Sequence, residues 1–325
     1  MTGSALEVWP SQRARRTGAA ATELSDGLFR YILATSWQHQ IPLVLLTVAV
    51  FLLEVVPLEL QRRVVNDAVK NRSYSAIAML CGAYVAAVLV QGAAKLGVNI
   101  YRSWVGERIK RDLRRRVSTT AADAQVPVAE IQGTAVAMVV AEVEPIGGFI
   151  GESISEPLLQ AGVLATVIAY IIHLDLWIGA AALALFVPQL VFVPLMQHAM
   201  NRRTGTRIWL LRRIGAGLIA GGPRDEARID RVFRLDMRIF QLKFSMNFLM
   251  NLCSHLQIVA ALLLGAWWVL HDQLEIGGVV AFISGLSRLN DPWGDLINYF
   301  RELSVTRVRF QLLADATTRI GSAFP

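Results

Sequence analysis

Residues 76–94, AIAMLCGAYVAAVLVQGAA, run for 19 positions without a charged side chain. At 1.5 Å per residue a helix of that length reaches ~28 Å, close to the ~30 Å hydrocarbon core of a bilayer. Three further stretches share the property. Residues 157–174 and 176–201 contain no Asp, Glu, Lys or Arg, and 244–270 is interrupted only by His255. Two shorter stretches complete the set. Residues 41–53 stop at Glu54 and resume to 60 around Pro57 and Glu59, and 276–287 stop at Arg288. Together they predict an all-α membrane protein with six transmembrane helices.

Composition agrees with that reading. The 325-residue chain is 54% hydrophobic and 18% charged, with a mean hydropathy of +0.45; soluble domains average about 25% charged. Arg13, Arg15 and Arg16 precede only the short stretch Ala19, Ala20, Ala21, not the apolar core of a secretory signal. Residues 1–36 are therefore expected as a basic N-terminal arm, residues 37–315 as the membrane domain and residues 316–325 as a short tail. Cys81 and Cys253 fall inside predicted spans and form no CxxC pair, so they read as small packing residues.

The net charge is +7. Of the 32 Lys and Arg, the arm holds 4, residues 101–145 hold 7, residues 201–243 hold 11 and the stretch from Arg301 holds 4. With six spans all four segments share one side, which the excess of basic residues in membrane-flanking segments makes cytoplasmic. Both termini are then cytoplasmic, and the location is the plasma (inner) membrane. Arg62, Arg63, Lys70 and Arg72 do not fit, because they fall in the first loop on the opposite side. The arginines flank spans and form no stripe interleaved with aromatics, which sets nucleic-acid binding aside.

The segments on the basic side read as helix. Val105, Ile109, Leu113 and Val117 recur every four residues, and residues 100–122 contain no proline. Residues 228–244 repeat the pattern with Ile229, Val232, Phe233, Leu235, Ile239 and Leu242. Spans two and five are thus expected to continue as long helices outside the bilayer. Breaks mark two tips: Pro127 followed by Gly133, and Gly215, Gly217, Gly221, Gly222 and Pro223.

Read in order, these features resemble the transmembrane domain of six-helix, type-1 ABC exporters. The stretch 273–282, QLEIGGVVAF, with Pro292 ten residues on, is similar to that family's start of the sixth span. Residues 24–37 resemble its elbow helix along the inner membrane surface. Residues 108–116 with Pro127 and Gly133 resemble its first intracellular loop, and Pro57 with RVVNDA at 63–68 resembles the end of its first span. The second tip, GGPRDE at 221–226, departs from the family sequence. The resemblance implies a homo- or heterodimer of such domains. It also implies a separate nucleotide-binding ATPase subunit, carrying ATP and Mg, docked on the tips. Candidate contact residues are Val126, Pro127, Gly133, Arg224, Arg228, Val232 and Phe233. A phosphate-binding loop needs GxxxxGK[ST]. The four lysines, Lys70, Lys95, Lys110 and Lys243, never follow glycine, so no cofactor is expected on this chain and no enzyme activity of its own.

Charges at membrane depth cost roughly 2.5–3.5 kcal/mol each on insertion scales and so mark candidate sites. Glu54, Lys95, Glu152, Glu156, Arg288 and Asp291 are such charges. Asn247, Asn251 and His255 form a stripe four residues apart, with Gln257 beside it. They would line a cargo cavity or couple it to protons; equally, they would pair between helices or snorkel to the surface. Gly147 and Gly151 form a GxxxG that permits close helix approach, and Trp267 with Trp268 suits an interfacial aromatic belt. Two other functions fit the same chain: a motor-less, proton-coupled peptide or solute transporter with Glu54 or Glu156 as proton carrier, and a truncated exporter without transport.

Overall fold

The computed structural model describes residues 27–70, 73–123, 143–219 and 225–322. Among these, every regular element is an α-helix. In chain order they are α1 (Leu28–Leu53), α2 (Val55–Val69), α3 (Tyr74–Asp123), α4 (Val143–Glu152), α5 (Ser155–Leu174), α6 (Leu176–Ala184), α7 (Val187–Ile219), α8 (Glu226–Leu270), α9 (Ile276–Ser287) and α10 (Asn290–Ser322). Four are long and apolar enough to cross a membrane when α1 and α2 are taken as one: Leu28–Val69, Tyr74–Arg115 within α3, α5 and α8.

Prolines mark half of the described helix starts. Pro57, Pro145, Pro157, Pro188 and Pro292 each stand at the second or third position of α2, α4, α5, α7 and α10. Proline has no N–H, and the N–H groups of a first turn have no intrahelical acceptor, so it costs little there. This corrects the sequence reading in one place. Residues 176–201, expected as a single span, divide into α6 and α7 at Leu185 and Phe186, just before Pro188. The short stretch 276–287 forms a helix with the bounds read from the sequence: α9 has 12 residues, Ile276–Ser287, with Arg288 just beyond its end. The elbow expected over 24–37 is not set off from the first span, because α1 runs 26 residues from Leu28 without a break.

The long helices form as read. α3 is 50 residues and α8 is 45, so they reach ~75 Å and ~68 Å. Asp225 starts α8 by accepting a hydrogen bond from the Arg228 N–H at 3.0 Å, which satisfies one of the first-turn donors. At its other end a tight turn leads to α9. There Asp272 takes φ 54°, a left-handed conformation that Asp tolerates better than most residues.

The chain divides into two compact units. In the first, residues 1–50, 91–159 and 302–325, the four-residue stripe of α3 faces inward: Val105, Ile109 and Leu113 are buried. Ile146, Phe149 and Ile150 of α4 and Leu28 and Ile32 of α1 are buried with them. Tyr31 meets Phe310 of α10 with ring centroids 5.4 Å apart. Small residues set the α3–α4 crossing. A Cβ on Gly151 would lie 2.4 Å from the Arg102 carbonyl oxygen, and one on Gly147 would strike the Lys110 side chain at 2.2 Å. The GxxxG of the sequence is thus a close backbone approach.

In the second unit, residues 51–90 and 160–301, α8 packs on α6, α7 and α9, and α9 packs on α2. Val193, Met250 and Ile297 form one core cluster, bordered by Phe192, Met246 and Trp293. Cys81 is exposed and Cys253 half-buried, so Cys81 is not the packing residue expected of it.

Candidate functional site

The second unit holds a line of polar ties between α2 and its neighbours. Glu54, in the single-residue break between α1 and α2, forms an ion pair with Arg288, at the break between α9 and α10. Their side chains are 18% and 30% exposed, so the pair is largely withdrawn from the surface. One turn further along α2, Glu59 is held by three residues. Its Oε2 accepts from Arg62 Nε at 2.8 Å and from the Tyr170 hydroxyl at 3.0 Å. Its Oε1 accepts from Arg62 Nη2 at 2.9 Å and Arg63 Nε at 2.8 Å. Arg62 and Arg63 lie three and four residues on from Glu59, the spacing that brings helical side chains together.

At the far end of α2 the tie is to the start of α9. Asn66 Oδ1 accepts the Gly277 N–H at 2.8 Å, and Asn66 Nδ2 donates to Glu275 Oε2 at 2.5 Å. Lys70 Nζ pairs with Glu275 Oε1 at 2.5 Å. The hydrogen bond from Lys70 holds the Glu275 carboxyl below the usual carboxylate range. Gly277 permits this approach: a Cβ there would lie 2.3 Å from the Arg62 carbonyl oxygen and 2.4 Å from Asn66 Oδ1. The basic residues of the first loop thus have partners within the fold: Arg62 and Arg63 share Glu59, and Lys70 pairs with Glu275. Arg72 lies outside the described residues.

The first unit has its own set. Arg102 of α3 pairs with Glu156 and lies 4.0 Å from Glu152. Lys110 bridges Glu107 and Glu144, both at 2.6 Å, and Arg114 adds a second contact to Glu144 at 2.6 Å. The hydrogen bond from Lys110 lowers the Glu144 carboxyl below its ordinary range. His39 Nε2 accepts from Arg108 at 2.9 Å and His39 Nδ1 meets the Tyr101 hydroxyl at 3.0 Å. A guanidinium only donates, so Nε2 is the acceptor in the contact with Arg108.

The residues expected to act together divide as follows. Glu54 joins Arg288, and Glu152 and Glu156 join Arg102, which the sequence reading passed over. Lys95 and Asp291 are exposed and form no ion pair among the described residues. Asn247, Asn251 and His255 do share one exposed face of α8, whereas Gln257 is buried and does not belong to it. Of the expected tip residues, Arg228 pairs with Asp225 at 3.0 Å, Val232 is half-buried and Phe233 is 65% exposed. Val126, Pro127, Gly133 and Arg224 lie outside the described residues. Among the described residues no three His, Cys, Asp or Glu side chains come together as metal ligands. Glu59, Tyr170, Asn66 and Arg102 were the residues missed. Only Glu59 carried a local signal, its spacing to Arg62 and Arg63.

No protein-family model matches the chain, and no curated protein matches it.

Proposed function

We propose that this chain is the transmembrane subunit of an ABC-type transporter with the six-helix exporter fold, and that a separate ATPase subunit holding ATP and Mg drives it. The observation that carries the reading is the pair of continuous helices, 50 and 45 residues long. Each is about twice the length that a bilayer core can hold. The polar half of each must therefore stand outside the membrane, where an exposed side chain such as Phe233 suits contact with a second protein. In this reading two such chains, identical or related, enclose a cargo path in the inner membrane with both termini in the cytoplasm. Closure of the ATPase subunits swings the long helices and exchanges the open side of the cavity. The chain's part is mechanical, through two arrangements of packed helices.

The motor-less, proton-coupled alternative draws less support. Its two candidate proton carriers, Glu54 and Glu156, are each held by an arginine.

The test is to affinity-purify the chain from its native membranes, identify what accompanies it and measure ATP hydrolysis. A co-purifying nucleotide-binding subunit with ATPase activity is the expected result. A chain that purifies alone, and whose transport persists without ATP, would overturn the proposal.

A further inference from the structure

Beside α2 and the end of α5 lies a cavity of about 440 Å³, lined among others by Glu59, Arg62, Arg63, Tyr170 and His173. Its carboxylate is already saturated. A carboxylate offers about four lone-pair sites, and Glu59 accepts four hydrogen bonds, two on each oxygen. The guanidinium groups are not. Each carries five N–H donors, of which Arg62 gives two and Arg63 one to Glu59. The others meet no acceptor among the described residues. Two guanidinium charges against one carboxylate leave the cavity with a surplus positive charge, and the Tyr170 hydroxyl, spent on Glu59, does not offset it.

We propose that this cavity binds a small anionic group, a carboxylate or a phosphate, through the unused donors of Arg62 and Arg63. Glu59 and Tyr170 fix the two forks and do not themselves bind the ligand. Planar forks of this kind match the paired oxygens of a carboxylate or phosphate. Val55 and Leu174 add apolar walls beside them. The same chemistry accepts either a free anion or the headgroup of an anionic lipid. The site stands whether or not the chain transports cargo.

The experiment uses the full chain in nanodiscs of phosphatidylcholine, titrated with inorganic phosphate by calorimetry. In parallel, nanodiscs of mixed phosphatidylcholine and phosphatidylglycerol are used to ask which lipid stays bound in native mass spectrometry. Saturable phosphate binding that weakens about tenfold in Arg63→Gln, and less in Arg63→Lys, assigns the site to a free anion. Retention of phosphatidylglycerol over phosphatidylcholine, lost in Arg63→Gln, assigns it to a headgroup. Arg111→Gln, a change on exposed α3 surface, should alter neither. Absence of both kinds of binding, or binding that Arg63→Gln leaves intact, would overturn the proposal. Because the Arg63 side chain is 61% exposed, its loss should leave the unfolding temperature unchanged, and Arg63→Lys keeps the test valid if it does not.

Discussion

Glu54 and Arg288 pair across 234 positions of sequence, and each occupies a break between two helices. Glu54 stands where α1 gives way to α2, and Arg288 where α9 gives way to α10. A helix break leaves backbone groups without intrahelical partners and draws polar side chains to the same place. Here each break supplies the other's counter-charge.

Removing one member should therefore cost more than removing both. Glu54→Gln or Arg288→Gln alone should destabilise by roughly 1–3 kcal/mol, between the limits for exposed and buried pairs. The double variant should lose less than either single variant. Thermal unfolding of the four proteins in detergent measures the coupling. Strict additivity would show that the pair contributes nothing.

Gly277→Ala should destabilise by about 1–3 kcal/mol, the usual cost of overpacking, because the new methyl would meet backbone and the Asn66 amide rather than a flexible chain end. Gly82→Ala supplies the contrast. Nothing lies within 4 Å of a Cβ there, and alanine in a helix interior gains about 0.5–1 kcal/mol over glycine. The two unfolding temperatures should move in opposite directions.

The same logic separates neighbours on α4. Gly151→Ala drives a Cβ into the Arg102 carbonyl and should lower the unfolding temperature. Gly148→Ala, three positions away with open space around it, should not. Equal effects would mean that helix propensity and not the crossing governs both sites.

Acid should weaken the α2–α9 contact in a defined direction. The Glu275 carboxyl is lowered from its ordinary value of 4.5 by its bond to Lys70. A carboxyl whose folded value lies below its unfolded value binds fewer protons when folded. Its contribution is complete above pH 4.5 and is lost as the pH falls through the depressed folded value. Unfolding measured from pH 6 to pH 3 should thus show an acid loss that Glu275→Gln reduces. Because the Glu275 side chain is 48% exposed, the change should be small and should shrink further in high salt. Glu144→Gln should act in the same sense through Lys110.

The sequence made some of this visible and hid the rest for physical reasons. The four-residue recurrence of Val105, Ile109 and Leu113 reports a helix face directly, and those residues are buried. Uniform hydropathy over 176–201 concealed the break before Pro188, because an apolar run looks the same whether it is one helix or two. Glu59 with Arg62 and Arg63 was readable by spacing, once residues 55–69 are taken as helix and not as a span running into a loop. The partnerships of Glu54 with Arg288 and of Asn66 with Gly277 leave no local trace, since they depend on where distant helices come to rest. The roles expected at Val126, Pro127, Gly133 and Arg224 belong to residues that the structure does not describe.

The ties at the two ends of α9 have a mechanical consequence. Glu54 and Asn66 stand 12 residues apart on the α2 side, and Gly277 and Arg288 stand 11 apart on the α9 side. The two spacings, ~18 Å and ~16 Å as helix, match in antiparallel order. Fastened at both ends by partners of equal reach, α2 and α9 cannot slide or roll past one another without breaking a charge pair at one end or a backbone contact at the other. Any rearrangement in this part of the molecule must carry them as a single strut. The places left to bend are the breaks where the strut ends, at Glu54 and Arg288, so the salt bridge that locks the strut also sits on its hinge.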